Sequence, residues 1–258
     1  MSAVPLVYDE FGAGPPIVVL HGLFGAGRNW QSVARELADS YRVLTVDLRN
    51  HGRSPHTSGM DYTLLAADVR ALLQQLELEN VTLLGHSMGG KTAMTVALLD
   101  PSRITRLIVV DITPVPSADI HTPMIDAMLA VPLDKVRRRS EVDALIRHAV
   151  PEAEIRLFLL QNLHITDTEV RWRFNLPALG AGMSALIGPL PVPDAARYTG
   201  PASFIRGLKS DRVLAAHMPL LQRLFVNPAI RSIEDAGHWP HAESPAAFLR
   251  AVRDCLLV

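Results

Sequence analysis

The sequence predicts an α/β fold in which a mostly parallel sheet is flanked by helices. Short, continuously apolar runs rich in β-branched residues alternate with longer segments whose apolar residues recur at helical spacing. Glycine-rich turns directly follow two of these runs, where a strand would pass into the next element. With 258 residues, 48% of them hydrophobic, the chain can bury one large core and carry an insertion.

The predicted elements of the first half follow in order. A helix containing Leu64 to Leu76 can be capped by Asp61 or Thr63, and a second helix runs from about Met88 to Leu99 because Pro101 follows. Alternation of this kind gives a parallel sheet with right-handed crossovers. The four strands predicted here are residues 17–20, 43–46, 81–84 and 107–110.

The pattern changes after Asp111. Residues 114–196 contain helix-like segments interrupted by prolines and no convincing buried strand. Strand patterns return at 202–206 and 229–233, and a last helix follows Pro245. We therefore predict a core formed by residues 1–113 and 197–258, with residues 114–196 inserted as a helical cap.

Composition argues against several classes of protein. The formal net charge is −1, so the chain lacks the basic balance typical of nucleic-acid binding, and the basic run at 135–139 is interpreted as a solvated face. The single cysteine, Cys255, lies in an apolar helical run and is expected to be buried and inert. No apolar run reaches membrane-span length and no targeting segment is visible, so we expect a soluble, cytoplasmic protein, either monomer or dimer.

The strongest motif is Gly85-His86-Ser87-Met88-Gly89, which fits the pattern G-x-S-x-G. A predicted strand precedes it and a predicted helix follows it, which is the context in which such a serine acts as a nucleophile. Small neighbours are needed because the serine occupies a sharp, strained turn. A glycine turn without chemistry is the alternative, and the combination of strand, turn and helix argues against it.

A second motif, His21-Gly22-Leu23-Phe24-Gly25, follows the first predicted strand. An oxyanion hole needs two convergent donors. We predict that the backbone amides of Leu23 and Met88 supply them and that Phe24 lines the acyl pocket.

A third motif, Gly237-His238-Trp239, follows the last predicted strand. A hydroxyl becomes an effective nucleophile when a base takes its proton, and a histidine late in the chain suits that role. We predict that His238 is the base. His241 is the competing histidine and is interpreted as structural.

These motifs, together with the segments at 47–54, 111–114 and 171–179, resemble the α/β-hydrolase superfamily, and more narrowly the small bacterial esterases of the YbfF type and their mitochondrial relatives. The resemblance extends over nearly the whole chain. It implies the α/β-hydrolase fold and a carboxylesterase or thioesterase that acts on small acyl substrates without a metal or an organic cofactor. It also implies that the 47–54 loop is structural and shapes the floor of the site.

The resemblance leaves two carboxylates to consider as the acid of a catalytic triad. Most superfamily members carry the acid after the strand predicted at 202–206, where Ser210 occupies the expected place and Asp211 follows. In the YbfF-like esterases the acid resembles Asp111. Because Asp111 ends a predicted strand, its carboxylate should emerge at the same sheet edge as Ser87, and we predict Asp111; a turn cap through Thr113 is the alternative role.

In the cap, Trp172, Phe174 and Met183 are predicted to line the substrate pocket, although each could instead belong to the core of the cap. The predicted reaction is two-step acyl transfer through an acyl-enzyme. A perhydrolase or a C–C lyase on the same triad, and a ligand sensor without turnover, remain alternatives. A metal site is disfavoured, because no histidine–carboxylate cluster with ligand spacing surrounds His238.

Overall fold

A computed structural model of the chain describes residues 2–257 and has a mixed, mostly parallel sheet at its centre. In the described part of the chain, seven strands form this sheet in the order β1-β3-β2-β4-β5-β8-β9, and β6 and β7 form a separate hairpin. The strands are β1 (Val7–Phe11), β2 (Pro16–Leu20), β3 (Arg42–Asp47), β4 (Val81–His86), β5 (Ile104–Val110), β6 (Leu163–Ile165), β7 (Val170–Trp172), β8 (Ala202–Gly207) and β9 (Ala229–Ile233).

Ten α-helices are present within residues 2–257. They are α1 (Gln31–Leu37), α2 (Tyr62–Gln75), α3 (Met88–Leu99), α4 (Thr122–Leu129), α5 (Arg139–Ile146), α6 (Ala153–Leu160), α7 (Leu176–Ile187), α8 (Met218–Leu224), α9 (Pro240–Glu243) and α10 (Pro245–Leu256). Asp61, not Thr63, caps α2, since its carboxylate accepts a hydrogen bond of 2.8 Å from the Leu64 amide.

The central strands are apolar throughout because both faces of the sheet are covered. In β5, Leu107 and Val109 pack into the core beneath α2 and α3, whereas Ile108 and Val110 pack on the opposite face with residues of α1 and α10. All four side chains are fully buried. The predicted α/β class, a mostly parallel sheet flanked by helices, is thus confirmed.

The first strand, β1, was missed by the sequence analysis. It lies at the edge of the sheet, antiparallel to β3, with Val7 opposite Asp47. Its residues are half-buried or exposed, so the segment lacks the continuous apolar character of the inner strands.

Residues 114–196 lie between β5 and β8 and contain α4 to α7. They also contain the hairpin of β6 and β7, which corrects the expectation of a segment without strands. Each of these strands has three residues and pairs only with the other, so neither has the length from which a strand is recognised in sequence. The division into core and cap remains a prediction.

Among the described residues, no helix combines the length and the apolar character that crossing a bilayer requires.

Candidate active site

Ser87 occupies the sharp turn between β4 and α3. Its φ of 51° and ψ of −117° lie in a region that residues with side chains rarely adopt. The turn is so tight that a Cβ atom on Gly85 would lie 2.2 Å from the carbonyl oxygen of Gly89. The glycines of the motif are therefore required by the turn that presents the Ser87 hydroxyl to a cavity.

Ser87, His238 and Asp111 form a hydrogen-bonded chain. The Nε2 atom of His238 lies 3.2 Å from Ser87 Oγ, and its Nδ1 atom lies 2.8 Å from Asp111 Oδ2. A carboxylate can only accept, so Nδ1 carries the proton and Nε2 turns its lone pair to the serine hydroxyl. The structure thus brings together the three residues that the sequence analysis predicted as nucleophile, base and acid.

The two candidate acids are placed very differently. Asp111 is fully buried directly after β5, and its Oδ1 accepts a hydrogen bond of 3.1 Å from the Gly207 amide. The side chain of Asp211 is 88% exposed and pairs with Arg212 at 3.4 Å. Of these two carboxylates, only Asp111 contacts His238.

Ser210 also contacts the candidate acid, a role that the sequence analysis did not predict. Its hydroxyl donates a hydrogen bond to Asp111 Oδ2, the same oxygen that accepts from His238. The signal was available, because Ser210 stands where most superfamily members carry the acid. A hydroxyl at that place is close enough to hold a carboxylate that comes from another strand.

His86, the residue before the nucleophile, joins the two halves of the site. Its Nε2 donates a hydrogen bond of 2.8 Å to the main-chain carbonyl of His238. Burial lowers the pKa of His86 well below its ordinary value, as do the neighbouring His238 and His241. Through this hydrogen bond, a neutral His86 therefore connects the loop that carries His238 to the turn that carries Ser87.

The loop after β2 lies against the nucleophile. A Cβ atom on Gly22 would be 3.3 Å from Ser87 Cβ, which shows how closely the backbone approaches. Within residues 2–257, the amides of Leu23 and Met88 donate to no protein acceptor. Both residues line the cavity beside Ser87, so two free donors are available there.

Two buried histidines hold this loop, and the sequence analysis did not assign either of them. The Nε2 atom of His51 accepts a hydrogen bond of 3.3 Å from the Phe24 amide, and its Nδ1 donates to the Arg49 carbonyl. His21 makes the same two kinds of hydrogen bond: its Nε2 accepts one from the Leu48 amide, and its Nδ1 donates one to the Gly22 carbonyl. Burial lowers the pKa of both, that of His51 to about 3, and the neutral rings can therefore accept from amides.

The cavity has a volume of about 510 Å³ and lies between the sheet edge and the segment 114–196. Of the residues predicted to line it, Phe24 and Met183 do so, and the predicted oxyanion donors Leu23 and Met88 also line it. It offers an apolar space lined by Ser87, by His238 and by the two residues with free amides.

Trp172 and Phe174 do not line this cavity, which corrects their prediction as pocket-wall residues. Their rings stack on each other with centroids 5.4 Å apart and an interplanar angle of 11°. Phe174 in turn contacts Phe24, with ring centroids 5.4 Å apart. They form a layer behind Phe24, the alternative role that the sequence left open for them.

His241 is a further histidine near the candidate active site, with its ring centroid 5.0 Å from that of His86. Its ring stacks on Trp30 with centroids 4.2 Å apart, and its Nδ1 has no hydrogen-bond partner among the described residues. Burial lowers the pKa of His241 to about 3, with a smaller contribution from His238. The ring is therefore neutral and packs as an aromatic group, in agreement with its interpretation as structural.

The arrangement can carry out acyl transfer to water. A base is hydrogen-bonded to a hydroxyl, a buried carboxylate contacts that base, and two residues with free amides lie beside the hydroxyl; these are the groups that such a reaction uses.

Comparison with known proteins gives an independent result. A family model described as "alpha/beta hydrolase fold" matches residues 15–245. The chain is 41% identical over 255 residues to the "sn-1-specific diacylglycerol lipase ABHD11" of Xenopus laevis, covering 95% of this chain and 81% of that protein. It is 36% identical to "Esterase YbfF" of Escherichia coli, covering 92% and 91% of the two chains. Among solved structures, "Marine microorganism esterase" superposes with a TM-score of 0.93 at 32% identity, covering 98% of this chain and 99% of that one.

Proposed function

Because this chain belongs to the alpha/beta hydrolase family and is a hydrolase of the carboxylesterase type, we propose that it cleaves carboxylic esters of small acyl substrates through a Ser87-His238-Asp111 triad. The proposal includes thioesters, whose acyl carbon is attacked in the same way. The cytoplasm is the proposed location, since the one cysteine, Cys255, is buried and unpaired.

In the first half of the reaction, Ser87 Oγ attacks the acyl carbon while its proton passes to His238 Nε2. The carbonyl oxygen becomes an oxyanion that accepts hydrogen bonds from the amides of Leu23 and Met88. Collapse of this intermediate breaks the bond to the leaving alcohol or thiol, which takes its proton from His238. The product that remains is an ester between the acyl group and Ser87.

In the second half, water attacks the acyl-enzyme and gives its proton to His238 Nε2. The second intermediate collapses, Ser87 regains its proton from His238, and the acid leaves. Asp111 stays ionised throughout, holding Nδ1 protonated and stabilising the imidazolium that forms twice in each cycle.

One observation carries the proposal: the chain of hydrogen bonds from Ser87 through His238 to Asp111 opens into an apolar cavity beside two free amides. This arrangement supports the proposal that nucleophile, base, orienting acid and oxyanion donors come together at one place.

The test is a pair of measurements on the wild type and on Ser87→Ala. Wild-type protein should turn over short-chain 4-nitrophenyl esters and should be labelled by a fluorophosphonate. Ser87→Ala should lose turnover by a factor on the order of a million and lose the label, with an unchanged circular dichroism spectrum.

Each alternative function gives a different result. A ligand sensor would be labelled on Ser87 without turnover of any ester in a chain-length panel. A perhydrolase would require peroxide for its activity. Labelling that persists in Ser87→Ala would place the nucleophile elsewhere and refute the proposal.

A further inference from the structure

Lys91 is a buried lysine in the wall of the candidate active-site cavity. It lies one helical turn after Ser87, and its amide donates a hydrogen bond of 2.9 Å to the Ser87 carbonyl. The residue is 2% exposed. An ammonium group withdrawn from water is costly unless a partner compensates it, so the partners of Lys91 are informative.

The ammonium group has one hydrogen-bond partner in the described part of the chain. It donates to the carbonyl oxygen of Gly188 at 3.2 Å, and it lies 5.8 Å from the centroid of the Tyr62 ring. Gly188 is the C-cap of α7, where the helix dipole gives a partial negative charge. An ammonium has three N–H donors, so two of them are left for a group in the cavity.

No carboxylate among residues 2–257 forms an ion pair with Lys91. A second cation, Arg212, lines the same cavity, and its carboxylate partner Asp211 is 88% exposed to solvent. Burial lowers the pKa of Lys91 to about 8, with a smaller contribution from Arg212. Near neutral pH the cavity therefore contains a buried positive charge that has no carboxylate partner among residues 2–257.

We propose that Lys91 is a specificity-determining residue that binds a carboxylate carried by the substrate, so that the preferred esters are anionic. This inference rests on the proposed function and deepens it. A carboxylate would accept the two free N–H donors and restore the charge balance of the cavity. Arg212, nearer the surface, would attract the same anion as it enters.

Lys91 also has a structural role that must be separated from binding. Three carbonyls at the end of α7 accept hydrogen bonds from other segments: Leu186 from the Tyr62 hydroxyl, Ile187 from the Ser117 amide and Gly188 from Lys91. If Lys91 did no more than attach α7, its loss would affect charged and neutral substrates alike. The experiment therefore measures a ratio between matched substrates.

The probes are two matched pairs of esters that differ in charge. Monomethyl adipate and methyl hexanoate carry the charge difference on the acyl side, and 4-acetoxybutyrate and butyl acetate carry it on the alcohol side. We expect the wild type to have a higher kcat/KM for the anionic member of at least one pair. In Lys91→Gln, which retains a donor for Gly188, the ratio of anionic to neutral kcat/KM should fall by roughly 10- to 100-fold.

The matched control is Lys209→Gln. Lys209 lines the same cavity, but its ammonium is exposed and pairs with Asp235 at 3.4 Å. Its substitution should leave the substrate ratio within about threefold of the wild type, because exposed charges are screened by solvent. A second measurement uses the wild type alone: adipate should inhibit hydrolysis of methyl hexanoate more strongly than hexanamide does.

Three outcomes of the ester measurements would overturn the inference: no preference for the anionic ester in either pair, equal losses on charged and neutral esters in Lys91→Gln, or an equal shift in Lys209→Gln. If adipate and hexanamide inhibit the wild type equally, the inference fails even where the variant does not fold. Absence of all ester turnover would instead refute the proposed function, so the two failures can be told apart.

Discussion

Replacing Asp111 with asparagine is the most direct test of how the candidate triad is oriented. The change removes one charge and keeps the shape of the side chain. Asp111 has a φ of 48°, a conformation that asparagine adopts about as readily as aspartate, so the backbone should be unaffected. Asp211→Asn is the matched control, the same chemical change at the exposed neighbouring candidate.

The size of the effect follows from the two orientations open to the introduced amide. With its oxygen at the Oδ1 position, the new side chain accepts from the Gly207 amide, as Asp111 does at 3.1 Å, and its NH₂ group faces His238 Nδ1. The reverse orientation turns NH₂ toward the Gly207 N–H and leaves buried donors unpaired, at a cost of about 1–3 kcal/mol. The first orientation is therefore favoured.

In that orientation, Nδ1 of His238 must accept, and its proton moves to Nε2. The imidazole then presents N–H to Ser87 Oγ and cannot take the serine proton. The same change of tautomer in a serine protease lowers turnover by about ten-thousandfold, equivalent to about 5 kcal/mol of transition-state stabilisation. We expect kcat for a short 4-nitrophenyl ester to fall by that order in Asp111→Asn.

The assay is steady-state hydrolysis of 4-nitrophenyl acetate with melting temperatures measured in parallel. Asp211→Asn should remain within about twofold of the wild type, because the Asp211 carboxylate is 88% exposed and pairs with Arg212, not with the imidazole. Turnover of Asp111→Asn within about tenfold of the wild type, with Asp211→Asn more impaired, would transfer the orienting role to Asp211.

Two further predictions concern packing and pH. Met183→Ala should change the ratio of octanoate to acetate ester hydrolysis, because Met183 lines the cavity. Phe174→Ala should instead lower the free energy of unfolding by about 3–5 kcal/mol and leave that ratio unchanged, as expected for a ring packed behind Phe24; a changed ratio would place Phe174 at the cavity wall. Burial holds the pKa of His241 at about 3, below its ordinary value of 6.5, so stability falls as the pH drops through 6.5 and the unfolded chain binds a proton that the folded chain does not. At pH 5 this proton binding lowers the free energy of unfolding of the wild type by about 2 kcal/mol. Between pH 7.5 and pH 5, the free energy of unfolding measured in urea should therefore fall by about 2 kcal/mol less in His241→Phe than in the wild type. Equal decreases in the two proteins would show that His241 is protonated in the folded protein.

The inner strands could be predicted from sequence because each is covered on both faces, which makes its residues apolar without interruption. β5 shows this, with Leu107 and Val109 packed on one face and Ile108 and Val110 on the other. β1 could not be predicted in this way, because an edge strand with half-exposed residues carries a weaker pattern.

Some residues of the candidate site can be predicted from their neighbours in the sequence, whereas others depend on contacts between distant parts of the chain. Ser87 is identified by its own neighbours, since the strained turn requires small residues beside it. The choice between Asp111 and Asp211 depends on contacts across more than a hundred residues, such as that between Asp111 and His238. The positions of Trp172 and Phe174 depended on which layer of side chains each ring joins, and hydrophobicity alone does not distinguish a cavity wall from the layer behind it.

Lys91 gave no sequence signal because a lysine in a helix is ordinarily solvated. Only the fold shows that the end of α7 covers it.

The position of Asp111 on β5 bears on how such a protein could diversify. When the orienting carboxylate comes from the end of β5, the end of β8 supplies one amide, that of Gly207, and the loop after β8 needs to supply one hydroxyl, that of Ser210. The neighbouring positions Asp211 and Arg212 line the cavity and form no hydrogen bond or ion pair with His238. Mutations there can alter which substrates enter while leaving proton transfer intact, so selectivity and chemistry can evolve on separate parts of the chain.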